Sequence, residues 1–237
     1  MMALVKLHFY SEELTDSTAA YVILPADVRE ARKYPVLMLL PPLGGDFTQW
    51  QRHADLEMLA VEKDCLIICP DIRLSLGMNM VYGLKFYDML SKEIPRILQA
   101  YFSVNLEKQM VCGYKEGAYT AGYLALRQPG QYEKAIMISC GSITDEDIQE
   151  DVQYKYIFGE ALNPSSLKGF DLKRLLKEKG QLPEISLYYG KQDEYALSAS
   201  LLAETAAGER RLKTRVMEKR IHWQECYGIL QQEVLFK

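Results

Sequence analysis

The segment from Glu107 to Tyr119, Glu-Lys-Gln-Met-Val-Cys-Gly-Tyr-Lys-Glu-Gly-Ala-Tyr, constrains this chain more than any other. An apolar run, Met110-Val111-Cys112, enters the turn Gly113-Tyr114-Lys115-Glu116-Gly117. Helix-compatible sequence then continues through Ala121, Leu124 and Leu126 to Pro129. A buried strand that becomes a helix within so short a turn must bring the two elements into close contact. Glycine on both sides of the turn removes the Cβ atoms that would clash there. Such a turn pushes its central side chain, here Lys115, into a site at the top of a parallel sheet.

The rest of the chain supplies that sheet. Residues 3–10 and 18–25 read as an antiparallel hairpin at the sheet edge. Val36-Leu37-Met38-Leu39-Leu40 and Leu66-Ile67-Ile68-Cys69 are continuous apolar runs, as expected of strands buried on both faces. Further strands are expected at 134–139, 185–189 and 213–218. Helices are expected over roughly 53–63, 85–102 and 195–207, and from Trp223 onward. Ile94, Ile97, Leu98 and Tyr101 mark the apolar face of the second. Residues 143–182 interrupt the alternation with polar, Tyr-rich sequence and read as a cap-like insertion. The expectation is one α/β domain over 1–237, a mostly parallel sheet with helices on both faces.

Composition narrows the function classes. The net charge of −4 leaves no basic footprint for nucleic acid, and no apolar run is long enough to span a membrane. The N-terminus has no signal-peptide pattern. Five cysteines, Cys65, Cys69, Cys112, Cys140 and Cys226, lie mostly inside strand-like runs. They read as reduced core residues of a cytoplasmic protein. Cys65 and Cys69 lack nearby partners for a zinc site, and Gly44-Gly45 lacks the Lys-Ser/Thr of a phosphate loop.

Ligands of open α/β sheets bind at the carboxyl ends of the strands. The Lys115 turn, the Pro41–Asp46 loop, Asp193 and His222 each follow a predicted strand and should converge. The order turn, acid, histidine is the chain order of α/β-hydrolase triads, in which the turn is the nucleophile elbow. There an imidazole takes the nucleophile's proton and a carboxylate fixes its tautomer. His222 and Asp193 suit these roles; His8 falls in the first strand and His53 at a helix start.

These features together resemble the esterase D type of α/β-hydrolase, especially small tributyrin esterases, and more distantly S-formylglutathione hydrolase. The resemblance runs through Tyr34-Pro35-Val36-Leu37, the Leu-Leu-x-x-x-x-Gly segment ending in Trp50, and Tyr82-Gly83 with Phe86-Tyr87. It continues in Glu93-Ile94-Pro95, the elbow, Cys140-Gly141, Gly190-x-x-Asp193 and His222-Trp223. It implies an α/β-hydrolase fold, carboxylic-ester hydrolase ancestry, a small-molecule ester or anionic ligand, no cofactor, and dimers or larger assemblies. The oxyanion hole is expected from the backbone N–H groups of Leu43 and Glu116, with Asn79, Tyr82 and Cys140 bordering the site. Cys112 reads as strand packing, Ser139 and Ser142 as pocket lining, and Tyr154, Tyr156, Phe158 and Phe170 as an apolar lid.

Two departures fall on catalytic ground. Family members carry His-Gly where this chain has Pro41-Pro42, and Ser at the elbow where it has Lys115. An amine cannot form an ester acyl-enzyme. A cation there also opposes imidazolium formation on His222 and sits unfavourably at a helix N-terminus. Three readings follow: a non-catalytic, ligand- or anion-binding relative; a weak or altered hydrolase of short-chain esters or thioesters acting through His222, Asp193 and the oxyanion hole; or lysine-based covalent chemistry. Glu116 is expected to pair with Lys115 or to be solvated.

Overall fold

The computed structural model describes residues 3–25, 32–141, 152–159, 169–178 and 182–236. Eight strands form one sheet: β1 (Ala3–Ser11), β2 (Asp16–Leu24), β3 (Tyr34–Leu40), β4 (Leu66–Pro70), β5 (Val104–Tyr114), β6 (Lys134–Ile138), β7 (Glu184–Gly190) and β8 (Leu212–Met217). Their spatial order is β1-β2-β4-β3-β5-β6-β7-β8. The β1–β2 and β2–β4 pairs are antiparallel, and the other pairs are parallel. The edge hairpin and the parallel centre expected from the sequence are both present.

The inner strands are apolar throughout because both of their faces are covered. Val36, Met38 and Leu40 of β3 join one core cluster, and Leu37 and Leu39 join the other. The period-two alternation of a strand divides the side chains in this way. On the first face lie α3 (Phe86–Asp88), a π-helical turn (Met89–Glu93), α4 (Ile94–Tyr101) and α5 (Glu116–Arg127). On the second lie α1 (Gln49–His53), α2 (Leu56–Lys63) and the last helix, Trp223–Glu233.

Two helices expected to be continuous are divided. The helix expected over 53–63 is α1 and α2, separated where Asp55 accepts the Met58 N–H and caps α2. His53 therefore ends α1 instead of starting a helix. The segment expected as one helix over 85–102 contains the π turn. Pro95 has no N–H to give the Ser91 carbonyl, and the Gln131 side chain donates to it instead at 3.2 Å.

Within the insertion two short helices are described, α6 (Val152–Phe158) and α7 (Leu172–Glu178). They contribute Ile157, Phe158, Leu172, Leu175 and Leu176 to the first core. Residues 143–151, 160–168 and 179–181 of the expected cap, and Ser142, lie outside the described residues. Two further helices, α8 (Ala196–Thr205) and α9 (Trp223–Glu233), follow β7 and β8. All five cysteines are buried free thiols. Among the described residues no helix is long and apolar enough to cross a membrane.

Candidate active site

The turn after β5 has the sharp geometry its glycines imply. Lys115 sits at φ 53° and ψ −119°, a strained conformation for a side chain bearing a Cβ. Its N–H is fixed by the Ile138 carbonyl of the neighbouring strand at 2.9 Å. A Cβ on Gly113 would lie 1.9 Å from the Gly117 carbonyl oxygen, and one on Gly117 would lie 2.4 Å from that of Leu40. Both glycines are therefore steric requirements of the close packing between β5, α5 and the loop after β3. That loop is anchored by the buried Trp50, whose indole N–H donates to the Leu40 carbonyl at 2.9 Å.

The groups around Lys115 are already satisfied by one another. The Leu43 N–H, expected to face a developing oxyanion, donates to Glu116 Oε2 at 3.0 Å. The other Glu116 oxygen accepts the Tyr195 hydroxyl. Lys115 Nζ instead meets Glu194 Oε2 at 3.4 Å, and Arg220 approaches the same oxygen at 3.3 Å. The expected Lys115–Glu116 pairing is thus replaced by two separate contacts. Among the described residues, three carboxylates, Asp193, Glu194 and Glu116, stand against two cations, Lys115 and Arg220.

Asp193 is buried and its oxygens are occupied. Oδ2 accepts the Ser139 hydroxyl at 2.7 Å and the Gly190 N–H at 2.6 Å, while Oδ1 accepts the Ile221 N–H at 2.8 Å. These bonds tie the ends of β6, β7 and β8 together. His222 follows Ile221 as the exposed N-cap of α9, and its backbone N–H donates to Glu225 at 2.9 Å. Among the described residues no hydrogen bond joins its imidazole to Asp193 or Lys115. Chain order brings acid and histidine to one end of the sheet; the carboxylate holds the histidine's neighbour, not its ring.

The other expected site residues are distributed differently. Asn79 bonds Asp88 in both directions, at 3.0 and 3.1 Å, and so holds the end of α3. Tyr82 is largely exposed, and its N–H meets the Tyr156 carbonyl at the end of α6. Cys140 is buried beside the elbow, where desolvation and the nearby Glu116 charge raise its thiol pKa. Burial likewise raises Cys112 far above the thiolate range, so neither thiol is an activated nucleophile. Phe158 and Phe170 meet edge to face at 4.9 Å between centroids, and Phe170 stacks on Tyr123 at 5.7 Å. Glu194 and Tyr195 were not expected at the site; the signal available was their adjacency to Asp193 after a predicted strand.

Comparison with known proteins identifies the lineage. A family model described as "Putative esterase" matches residues 11–226. The chain belongs to this esterase family. An acetyl esterase of Caldicellulosiruptor saccharolyticus is 23% identical over 219 residues, covering 81% of each chain. Similar solved structures include FphF, a fluorophosphonate-binding serine hydrolase of Staphylococcus aureus. It has a TM-score of 0.86 at 22% identity and covers 98% of this chain and 97% of its own. The S-formylglutathione hydrolase FrmB of the same organism has a TM-score of 0.84 at 23% identity, covering 99% and 98%. The family and the α/β-hydrolase fold are those the sequence led us to expect. Within this esterase-family protein, the elbow apex is a lysine.

Proposed function

We propose that this protein is a non-catalytic member of the esterase family, whose reaction centre is closed by its own side chains. The observation that carries the reading is the Glu116 carboxylate on the Leu43 N–H. An oxyanion hole works by presenting unoccupied donors to charge that develops in the transition state. A resident carboxylate takes such a donor and repels that charge. Lys115 supplies no hydroxyl for an acyl-ester, and Asp193 spends its acceptors on Ser139, Gly190 and Ile221. A small ester or anionic ligand reaching the elbow must displace Glu116 from Leu43 or Glu194 from Lys115. The role retained is binding, without turnover.

The test is hydrolysis of short-chain p-nitrophenyl esters by wild type, Lys115→Ser, Lys115→Ser/Glu116→Ala and His222→Ala. Triad hydrolases stripped of their nucleophile keep roughly 10³-fold catalysis over water through the oxyanion hole and binding. With that hole occupied, wild type should run at the buffer rate. Lys115→Ser should stay there, and the double variant should rise above both. Turnover by wild type that His222→Ala abolishes would replace this reading with the altered-hydrolase one.

A further inference from the structure

We propose a second binding site, for a phosphoryl-bearing small molecule, at the end of the sheet opposite the elbow. A cleft of about 680 Å³ opens there, beside the first residues of β6, β7 and β8 and the end of α9. Its volume lies within the range typical of small-molecule sites, roughly 300–1,000 Å³. Lys115 lies beyond the carboxyl end of β5, about one strand length away, so the two sites are separate.

The floor of the cleft is a buried, fixed network. Lys134 Nζ donates to Glu233 Oε2 at 2.5 Å and to the Glu233 carbonyl at 3.0 Å. The Ser186 hydroxyl meets the same carboxylate at 2.7 Å, and the Tyr188 hydroxyl completes the set. This pair cancels its own charge and presents a rigid base.

The wall is cationic in a chain that is acidic overall. Arg211, Lys213 and Arg215 alternate along the edge strand, so the strand's period of two places them together. Arg210 extends the row and has no hydrogen bond or ion pair among the described residues. Among the described residues, five cations and three carboxylates line the cleft. Lys134 is taken by Glu233 at 2.5 Å and Lys213 approaches Glu184 at 3.4 Å. That leaves three arginines against Glu133. Arg211 donates one N–H to the Leu182 carbonyl at 2.9 Å, and Arg215 stays 3.8 Å from Glu233 with its side chain largely exposed.

Guanidinium groups bind phosphoryl oxygens in pairs, with parallel N–H donors. Three of them around one concavity favour a ligand with clustered phosphoryl charge over a single carboxylate. The alternative is that the charges only keep an exposed sheet edge from pairing with another chain, which requires no ligand affinity.

The experiment is calorimetric titration of the full-length protein with pyrophosphate at low ionic strength, with citrate as a comparison anion. We expect a pyrophosphate Kd below ~1 mM, as a measurable small-anion site requires. The double variant Arg210→Ala/Arg215→Ala should weaken it at least tenfold and leave the circular dichroism spectrum unchanged; both side chains are exposed, so folding is not at stake. Lys115→Ala should bind as wild type does, which separates this site from the elbow. The proposal is overturned by absence of binding, by equal affinity in the double variant, by loss on Lys115→Ala, or by citrate binding as tightly as pyrophosphate.

Discussion

Gly117 has no tolerance for a side chain. Its Cβ position falls 2.4 Å from the Leu40 oxygen and 2.5 Å from that of Pro41, both backbone atoms that cannot rotate away. Gly117→Ala should therefore cost on the order of 3 kcal/mol, the upper end of overpacking penalties, read as a lower urea midpoint. The same substitution at Gly130, where nothing lies within 4 Å, meets no clash; only its positive φ opposes it. The elbow glycines were legible in the sequence because their constraint is local, a turn between adjoining elements. The role of Glu116 was not. Its partners, Leu43 and Tyr195, are 73 and 79 residues away, and no spacing rule links residues so far apart. Lys115 was legible as the apex, while its contact with Glu194 required the loop after β7 to be seen in place.

At the level of elements, the π turn carries a testable load. Glu93 points inward from it to accept the Ser11 hydroxyl and, at 2.8 Å, the Glu12 N–H. The Ser11 oxygen in turn accepts the Leu14 N–H at 3.0 Å. The helical segment is thereby pinned to the β1–β2 turn at the far edge of the sheet. Glu93→Ala would leave the buried Ser11 hydroxyl and the part-buried Glu12 N–H without their acceptor and should destabilise the protein by about 1–3 kcal/mol, measured by urea unfolding. Hydrophobic periodicity located this segment, since Ile94 and Leu98 face the core as expected, but Tyr101, expected on the same face, is exposed. It could not reveal the irregular turn. That depends on Pro95 withholding a donor and on Gln131, from another part of the chain, supplying one. The strands were easier to read: runs such as Leu66–Pro70 are buried at every position, and such runs have few other places to go.

Across the whole molecule, one carboxylate links three elements and sets a response to acid. Burial tends to raise the pKa of Glu233, but the hydrogen bonds from Lys134, Tyr188 and Ser186 outweigh it and hold the group at about 2. A folded-state value below the ordinary 4.5 means that ionised Glu233 favours the fold above that pH. This contribution is lost as pH falls from 4.5 toward 2. Glu233→Gln should therefore be less stable than wild type at neutral pH, and the gap should narrow across that window. Thermal melts at pH 6 and pH 3 would check it. The loop Asp193-Glu194-Tyr195 has a different kind of consequence. Its three consecutive side chains engage the strand ends, Lys115 and Glu116 in turn. On the proposed reading, a mutation restoring any one catalytic part still meets the other two obstacles and brings natural selection no benefit. On that reading a return to hydrolysis would have to cross at least one neutral step, Lys115→Ser with Glu116 still in place, and the contacts from this loop to Lys115 and Glu116 would act as a ratchet.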